Sequence, residues 1–441
     1  MTACGDDGTD EETADVADEA DSDEEDAADE GDSDEQITLT VDVFGAQGFG
    51  YEELVEQYMD ENPNITVDYQ ITSDDYDNEY RPNLIQQLDA GNAPDVVGIE
   101  EQGVGQMMAM NDAWVDLAEY GLDERESNFP AWKWELGHTN DGKLAGLGTD
   151  VGGMAMCYRT DLFEEAGLPT DRDELAELWE SWDGYVASAE EFVNSGVDAA
   201  FVDSPNQIYN IRLVQEAGAG DGTSYFDRDN NYVAGESPAV QTAFGFVQEL
   251  HEMGAVGPFE NFSEEWNAAT AAGGFATMGC PAWMTGVIEG NAGEENAGNW
   301  DVTPVPGGGG GNWGGSWLGV PANTEHPAEA AALADFLTSP EGQLGAFEAL
   351  GNFPSSPVAQ EDPAVADATN DYFNDAPTGQ IYADSVAAYD PVYFGPLHSV
   401  ARTAMEDVLL GLVEGSYSSD EAFDAFIDAG REVVELEGGG G

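Results

Sequence analysis

The patterned part of the chain begins by alternating between two hydrophobic periodicities. Every second residue from 37 to 43 is apolar, which predicts a strand, and residues 54–59 carry apolar side chains at helical spacing. A second alternating run covers residues 65–71, a second helix follows it, and the short apolar run over residues 95–99 predicts a buried strand. Strands that alternate with helices predict an α/β architecture with a largely parallel sheet.

The same patterning continues through the second half of the chain. Alternation over residues 154–158 predicts a further strand, and helical spacing returns over residues 175–182 and 243–250. Trp179 and Trp182 lie on the apolar stripe of the first of these helices and are predicted core residues. Later helix starts are marked by Pro327, by Ser339-Pro340 and by a capping sequence from Ser418 to Glu421.

The N-terminal region lacks this patterning. Residues 5–35 contain 18 acids among alanine, serine and glycine, a composition that does not bury enough apolar surface to order itself. Thr2-Ala3-Cys4 resembles the end of a bacterial lipoprotein signal, with methionine where leucine is usual. Cys4 is therefore a predicted lipidation site, the alternative being an accidental cysteine. We expect a lipobox-like start and a disordered acidic tether over residues 1–35.

Composition changes the picture of the surface more than that of the fold. The chain has 10 Lys and Arg against 91 Asp and Glu, a formal net charge of -81, yet its 41% hydrophobic residues suffice for a sizeable core. Such a polyanion repels nucleic acid and phosphate-rich partners. Acids spread along the whole chain predict a surface adapted to high salt, where the Debye length falls to about 3 Å. Acids that bind calcium or basic partners would instead be concentrated in repeats or loops.

No motif in the sequence predicts a cofactor, a metal site or a catalytic group. The patterns G-x-x-x-x-G-K-[ST], H-E-x-x-H and G-x-S-x-G are absent, and the glycines at 309, 311 and 314 that match G-x-G-x-x-G open no helix. Residues 227–238 begin like a calcium loop but lack its central glycine and final glutamate. A catalytic carboxylate pair cannot be singled out among 91 acids. Cys157 and Cys280 are either a disulfide or two buried thiols.

Five segments in a fixed order resemble the extracellular solute-binding proteins of ABC sugar importers, in the maltodextrin and cello- or chito-oligosaccharide group. One of them is Gly-Asn-Ala-Pro-Asp-Val-Val at residues 91–97. The others are residues 54–67, 141–150, 158–169 and 337–342. The resemblance covers nearly everything from residue 37 to about residue 430. The near absence of lysine departs from the family, and we attribute it to salt adaptation.

The resemblance implies a type II periplasmic-binding-protein-like fold, in which two α/β lobes enclose a ligand cleft that closes on binding. Lobe 1 would hold residues 36–150 and 306–345, lobe 2 residues 151–305 and 346–437, and residues 438–441 would be a flexible tail. The implied protein is not an enzyme and needs no cofactor. It would be a monomer outside the cell, lipid-anchored to the outer face of the cytoplasmic membrane, with a neutral mono- or oligosaccharide and the membrane subunits of an ABC permease as partners.

A neutral sugar needs flat aromatic surfaces beneath its C–H faces. Trp283 follows a predicted strand at a place where the resembling family commonly has a ligand-facing aromatic residue. Glycines beside Trp313 and Trp317 would leave indole faces uncovered, and we expect one of these two residues to be a core residue.

Sugar hydroxyls also need carboxylates and amides as hydrogen-bonding partners. Glu100 and Glu101 follow a parallel strand at its carboxyl end, where α/β sheets bind ligands, and Asp150 lies at the first crossing between lobes. The remaining polar candidates are Gln47, Asn352 and Tyr393. None of these positions is basic, which favours a neutral ligand over an anionic one. Two alternatives stay open: the same fold binding a polyol, peptide or osmolyte, and a secreted glycan-active enzyme.

Overall fold

Two separate β-sheets organise the protein, and a computed structural model describes residues 36–438. The strands are β1 (Ile37–Phe44), β2 (Ile65–Ser73), β3 (Val96–Glu100), β4 (Gly146–Gly148), β5 (Met154–Arg159), β6 (Ala200–Val202), β7 (Phe275–Pro281), β8 (Trp300–Pro304) and β9 (Ser316–Gly319). The first sheet has the order β2-β1-β3-β9-β4 and the second has the order β6-β7-β5-β8. Each sheet is the centre of one lobe.

Helices connect these strands and pack around them. The α-helices are α1 (Glu52–Glu61), α2 (Arg81–Ala90), α3 (Glu101–Ala109), α4 (Ala131–Leu136), α5 (Thr160–Ala166), α6 (Arg172–Leu178), α7 (Trp182–Ser195), α8 (Pro205–Ala219), α9 (Pro238–Glu252), α10 (Glu264–Ala272), α11 (Met284–Ala292), α12 (Pro327–Thr338), α13 (Pro340–Leu350), α14 (Pro357–Gln360), α15 (Pro363–Ala366), α16 (Thr378–Ala387), α17 (His398–Val413) and α18 (Ser419–Gly438). The predicted helix starts at Pro327 and Ser339-Pro340 are confirmed.

The first sheet follows the hydrophobic alternation of the sequence. β1 pairs in parallel with β2 and with β3, and Leu39, Val41 and Val43 on β1 have no exposed surface. The three strands predicted in this part of the chain are therefore confirmed. A period of two places alternate side chains on the core face of the sheet, which is why the pattern identifies these strands.

The sheets are mixed rather than largely parallel, which corrects one expectation. β9 is antiparallel to β3 and β4, and β5 is antiparallel to β7 and β8. Both β5 and β9 enter their sheets directly after the chain has crossed between the lobes. No β-α-β crossover precedes them, so nothing imposes a parallel direction.

Three segments cross between the lobes side by side. Thr149 N donates to Ser316 O (2.8 Å) and Val151 N donates to Phe353 O (2.9 Å), which ties the crossings together. Residues 307–312 were expected in lobe 1, yet they lie against lobe 2. Met154 N of lobe 2 donates to Gly311 O (3.1 Å). The second crossing therefore lies nearer to β9 than expected. The other lobe boundaries stay predictions.

The second lobe has an aromatic core and a covalent link. Trp179 and Trp182 are buried in it, as predicted. They do not share one helix as expected, because α6 ends at Leu178 and the Ser181 cap begins α7 at Trp182. Cys157 on β5 and Cys280 on β7 form a disulfide with a Cα–Cα distance of 5.3 Å, which decides between the two alternatives that the sequence left open. Neither cysteine has exposed surface.

Some expectations concern residues outside the described part of the chain. The predicted tether over residues 1–35, with Cys4, and the last residues of the predicted tail, 439–441, belong to this group. Within residues 36–438, no helix combines the length and the hydropathy that crossing a bilayer requires.

Candidate functional site

A cavity of about 430 Å³, open solvent at its mouth included, lies between the two lobes. Glu101 and Gln102 at the start of α3 form the wall from lobe 1. The opposite wall is contributed by Met154, Asn210, Ile211, Leu213, Val214, Gly311, Asn312, Trp313, Phe394 and His398.

The turn from β3 into α3 positions Glu101 and Gln102, the cavity wall from lobe 1 that we call the acidic wall. Glu100 is the N-cap of α3, and its carboxylate accepts a hydrogen bond from Gln102 N (2.8 Å). This cap directs the next two side chains toward lobe 2. Glu101 and Gln102 are buried, and the Oε1 atom of each has no hydrogen-bond partner among the described residues.

Burial controls the electrostatics of Glu101. Loss of solvation raises the pKa of its carboxyl to about 8, although the positive charge of Lys133 opposes that rise. Lys133 is itself fully buried, with Nζ 3.6 Å from the ring centroid of Trp317, and burial lowers its pKa to about 8. Asp150 and Glu101 favour its charged form. A buried cation whose Nζ has no hydrogen-bond partner among the described residues thus lies near Glu101, a feature that sequence reasoning missed.

The wall from lobe 2 is built by α8, α17 and the segment that precedes α17. His398 stacks on Tyr225 at 4.8 Å and meets Phe394 edge-on at 4.5 Å. Burial, and then the charge of Arg402, lower the pKa of His398 to about 3, so the imidazole is neutral. Its Nδ1 lacks a partner within the described part of the protein. The ring can therefore take part in a hydrogen bond with a ligand.

The crossing segment before β9 completes the cavity. Asn312 Oδ1 accepts from Gly152 N (2.8 Å), which fixes the loop beside Trp313. Trp283 Nε1 donates to Trp313 O (3.0 Å), and the two indoles meet edge to face at 6.5 Å. Trp313 is thus a lining residue of the cavity, and Trp283 packs against it.

Two contacts join the lobes beside the cavity. Arg402 on α17 forms an ion pair with Asp77 of lobe 1. One turn before it, Ser399 Oγ donates to Gln102 O (2.7 Å). Both contacts connect lobe 2 to residues at or near the acidic wall.

The structure brings together only part of the predicted site. Glu101 and Trp313 line the main cavity, and Trp283 contacts Trp313. Glu100 is next to the cavity as a helix cap. Trp317 is fully buried in β9 with Nε1 donating to Lys133 O (3.0 Å), so no ring face is left for a ligand, and it is the core member of the pair.

Asp150 and Asn352 lie at a second, smaller cavity of about 230 Å³ next to the crossings. The carboxylate of Asp150 accepts from Ser316 N (3.0 Å) and from Thr149 Oγ1 (2.7 Å), contacts that hold the crossing in place. Asn352 Nδ2 donates to Phe49 O (3.4 Å). Both side chains have backbone or neighbouring partners already, in contrast to the unpartnered atoms of the main cavity.

Gln47 and Tyr393 lie away from both cavities. Gln47 is exposed in the loop after β1. The hydroxyl of Tyr393 donates to Asn230 Oδ1 (2.7 Å). The next residue, Phe394, does line the main cavity.

Sequence reasoning missed Gln102, Asn210, Phe394 and His398. Gln102 could have been found, because it follows Glu101 on the same first helical turn. The other three reach the cavity only through the packing of α8 and α17, for which the sequence carries no local signal. Within residues 36–438, no cluster of three or more His, Cys, Asp or Glu side chains could hold a metal ion.

The model of a protein family described as bacterial extracellular solute-binding protein matches residues 53–373. The chain belongs to this family. It is 34% identical to an extracellular solute-binding protein of family 1 of known crystal structure, with a TM-score of 0.80 and coverage of 90% of this chain and 99% of the other. The two-lobed fold is therefore confirmed, and the family is one of binding proteins, not of enzymes.

More distant relatives carry named ligands. The chain is 24% identical to the arabinooligosaccharide-binding protein of Halalkalibacterium halodurans over 58% of its own length and 56% of the relative's, so it matches just over half of that relative. The galacto-N-biose-/lacto-N-biose I-binding protein of the ABC transporter from Bifidobacterium longum, in complex with lacto-N-biose, has the same fold. Its TM-score is 0.76 at 17% identity, with 92% of this chain and 99% of the other covered.

Proposed function

We propose that this solute-binding protein is the extracellular substrate-binding component of an ABC transporter and binds a neutral mono- or oligosaccharide between its lobes. One observation carries the proposal. Glu101, Gln102 and His398 line one interlobe cavity, and their buried atoms Glu101 Oε1, Gln102 Oε1 and His398 Nδ1 lack partners within the described residues. A buried acceptor without a donor costs about 1–3 kcal/mol, which a ligand rich in hydroxyl groups would recover.

The composition of the cavity favours a neutral ligand. No Lys or Arg is among its lining residues in the described chain. Trp313 and Phe394 supply apolar surfaces that suit the C–H faces of a sugar. An anionic ligand would therefore lack a basic partner among these lining residues.

The position of the cavity supports a transport mechanism. Its walls come from both lobes, so a ligand contacts all of them only while the lobes are together. A ligand with this differential affinity shifts the population toward the closed form. The closed protein, acting as a monomer, would then present both lobes to the membrane subunits of the permease.

Titration of intrinsic tryptophan fluorescence in about molar salt tests this function. We expect saturable binding of lactose, lacto-N-biose or an arabino-oligosaccharide, with the sugar recovered intact. Replacement Glu101→Gln should weaken binding about twofold to tenfold, because an amide cannot reproduce all the hydrogen bonds of a carboxyl group and one hydrogen bond contributes about 0.5–1.5 kcal/mol. The exposed Glu126→Gln is the matched control, and melting of the ligand-free variants checks that the fold is kept.

Other outcomes would change the assignment. Saturable binding of a polyol, a dipeptide or glycine betaine without any response to sugars would favour the same fold with a non-sugar ligand. Hydrolysis of the sugar would contradict a pure binding role.

We also propose that Cys4 carries a lipid that anchors the protein to the outer face of the cytoplasmic membrane. Thr2-Ala3-Cys4 and the acidic stretch over residues 5–35 support this, because one lipid anchor needs a spacer to hold a domain off the membrane. In detergent-phase partitioning, the protein expressed in cells should enter the detergent phase, and the Cys4→Ser variant should stay in the aqueous phase. Equal partitioning of the two proteins would contradict the lipid anchor and leave the proposed binding function unaffected.

A further inference from the structure

Helix α3 of lobe 1 packs very closely on lobe 2 beside the cavity. A methyl group built on Gly105, in the middle of α3, would overlap the carbonyl oxygen of Phe394 and lie 3.1 Å from the carbonyl oxygen of Gly395. Only glycine, which has no Cβ, lets the two backbones approach each other in this way. Phe394 is also a lining residue of the cavity, so this close approach lies directly beside the candidate binding site.

An ion pair and a hydrogen bond join the lobes at the same place. Arg402 on α17 pairs with Asp77 of lobe 1, and no other ion pair within residues 36–438 links the two lobes. Ser399, one turn earlier on α17, donates to Gln102 O (2.7 Å) at the start of α3. We use the name α3 contact for the interface formed by Asp77, Gln102 and Gly105 with Phe394, Ser399 and Arg402.

The charge of Arg402 offsets a repulsion that closure would otherwise meet. Its neighbours are the acidic side chains of Asp77 and Glu100 in lobe 1 and of Glu406 in lobe 2. Burial lowers the pKa of Arg402, but the negative charges of these three groups outweigh burial and raise that pKa above its usual value. The side chain of Arg402 is only 10% exposed, so salt screens this pair less than it screens a surface pair.

The ion pair also leads to the cavity wall of lobe 2. Arg402 Nη1 lies 3.5 Å from Glu406 Oε1, one turn later on α17. Glu406 Oε1 accepts a hydrogen bond from Asn210 Nδ2 (2.5 Å), and Asn210 is a lining residue of the cavity. A continuous polar series therefore runs from Asp77 in lobe 1 to the binding cavity.

We propose that the α3 contact is a closure latch, which stabilises the closed form through contacts between the lobes rather than through contacts with the ligand. Gly105 permits the approach, and Arg402 with Asp77 supplies the attraction. This inference rests on the proposed function and assigns part of the affinity to three residues that are not lining residues of the cavity. Because α3 belongs to lobe 1 and α17 to lobe 2, these contacts form only when the lobes are together, and they favour closure around any ligand.

Replacement Gly105→Ala tests the steric part of the latch. The closed form cannot hold the added methyl group without moving the lobes, so affinity should fall about tenfold or more, and by a similar factor for every sugar that binds. Tryptophan fluorescence titration in about molar salt measures affinity, with lactose, lacto-N-biose and arabino-oligosaccharides as probes. The melting temperature of the ligand-free variant should not fall. Gly245→Ala is the matched control, because a methyl group on that residue of α9 meets open space.

Replacement Asp77→Asn tests the electrostatic part without adding bulk. We expect about a tenfold loss of affinity for the same probes, because a charge-assisted hydrogen bond between the lobes is weakened. Asp335→Asn is the matched control. It breaks the ion pair of Arg125 within lobe 1 and should leave the affinity unchanged. Small-angle X-ray scattering adds a direct readout, since at equal sugar concentration both latch variants should show a smaller decrease in radius of gyration than the unchanged protein.

The outcomes separate the latch from the binding function. Unchanged affinity in Gly105→Ala or in Asp77→Asn would overturn the latch while the sugar-binding function stood. A loss confined to one of several sugars that bind would also overturn it, because the residue would then act through that sugar. A lower melting temperature of ligand-free Gly105→Ala would do the same, since the methyl group would then disturb the fold. Failure of every probe to bind the unchanged protein would overturn the proposed function, and the latch with it.

Discussion

The few basic residues of this acidic chain are structural. Within residues 36–438, seven of the eight arginines form ion pairs with carboxylates. Arg125 and Arg172 join segments that are distant in sequence, through Asp335 and Asp301. A paired and partly buried guanidinium leaves a costly unpaired charge when it is lost. This cost applies to the well-buried guanidinium groups of Arg159, Arg172 and Arg402, whereas an exposed pair such as that of Arg431 contributes little.

A buried acid makes stability depend on pH. Loss of solvation raises the pKa of Asp203 to about 7, whereas an unfolded Asp titrates near 4. The folded protein therefore holds a proton that the unfolded chain releases. The stability contributed by this group is fully present below about pH 4 and is lost as the pH rises through about 7.

We expect the free energy of unfolding to fall between about pH 4 and pH 7, and Asp203→Asn to reduce that slope, because asparagine has no proton to lose. Urea unfolding in about molar salt at several pH values measures this slope of the free energy of unfolding against pH. The exposed Asp123→Asn should leave the slope as it is. An unchanged slope in Asp203→Asn would show that Asp203 does not titrate in this range.

At the scale of elements, β5 is the central connection of lobe 2. It pairs with β7 and β8 and begins directly after the first crossing, so it links the sheet to the cavity edge at Met154. The disulfide fastens it to β7 by closing a sequence separation of 123 residues. Closing a long loop restricts the unfolded chain more than the folded one.

Replacement of both cysteines by alanine should therefore lower the free energy of unfolding by about 2–4 kcal/mol. Urea unfolding with and without reductant measures the effect, and the unchanged protein in reductant should approach the double variant. Identical midpoints under all these conditions would mean that the bond does not stabilise the fold. Sugar affinity at low denaturant is the control for an intact cleft.

For the whole molecule, charge decides the conditions under which the two lobes are stable. A formal charge of -81 is spread over both lobes and the N-terminal tract. Mutual repulsion of surface carboxylates destabilises a compact state at low ionic strength, and salt screens it. We propose that the protein is adapted to high salt for this reason.

The melting temperature should fall markedly when salt is lowered from about 1 M to about 0.1 M, as the Debye length grows from about 3 Å to about 10 Å. Sodium and potassium chloride should act alike if screening is the cause. Sucrose at equal osmolarity is the control for preferential exclusion. A melting temperature that is flat across this range would reject salt adaptation.

Local patterns were sufficient for the elements and for part of the site. Alternation identified β1 and β2 because a side-chain period of two is a local property, and a short apolar run identified β3. The carboxyl end of β3 identified Glu101 because parallel strands end at a common edge. Glycines beside both indoles suggested Trp313 and Trp317 equally, and only the pairing of β9 with β3 and β4 buries Trp317.

The sequence by itself determined the element types, the acidic character and the likeness to one family, since these depend on neighbouring residues and on composition. Only the tertiary structure decided the strand directions, the disulfide and the placement of His398, Asn210 and Lys133 around the cavity. These features depend on contacts between segments more than a hundred residues apart, such as the donation from Ser399 to Gln102. No periodicity along the chain encodes such contacts, because the packing of whole lobes sets them.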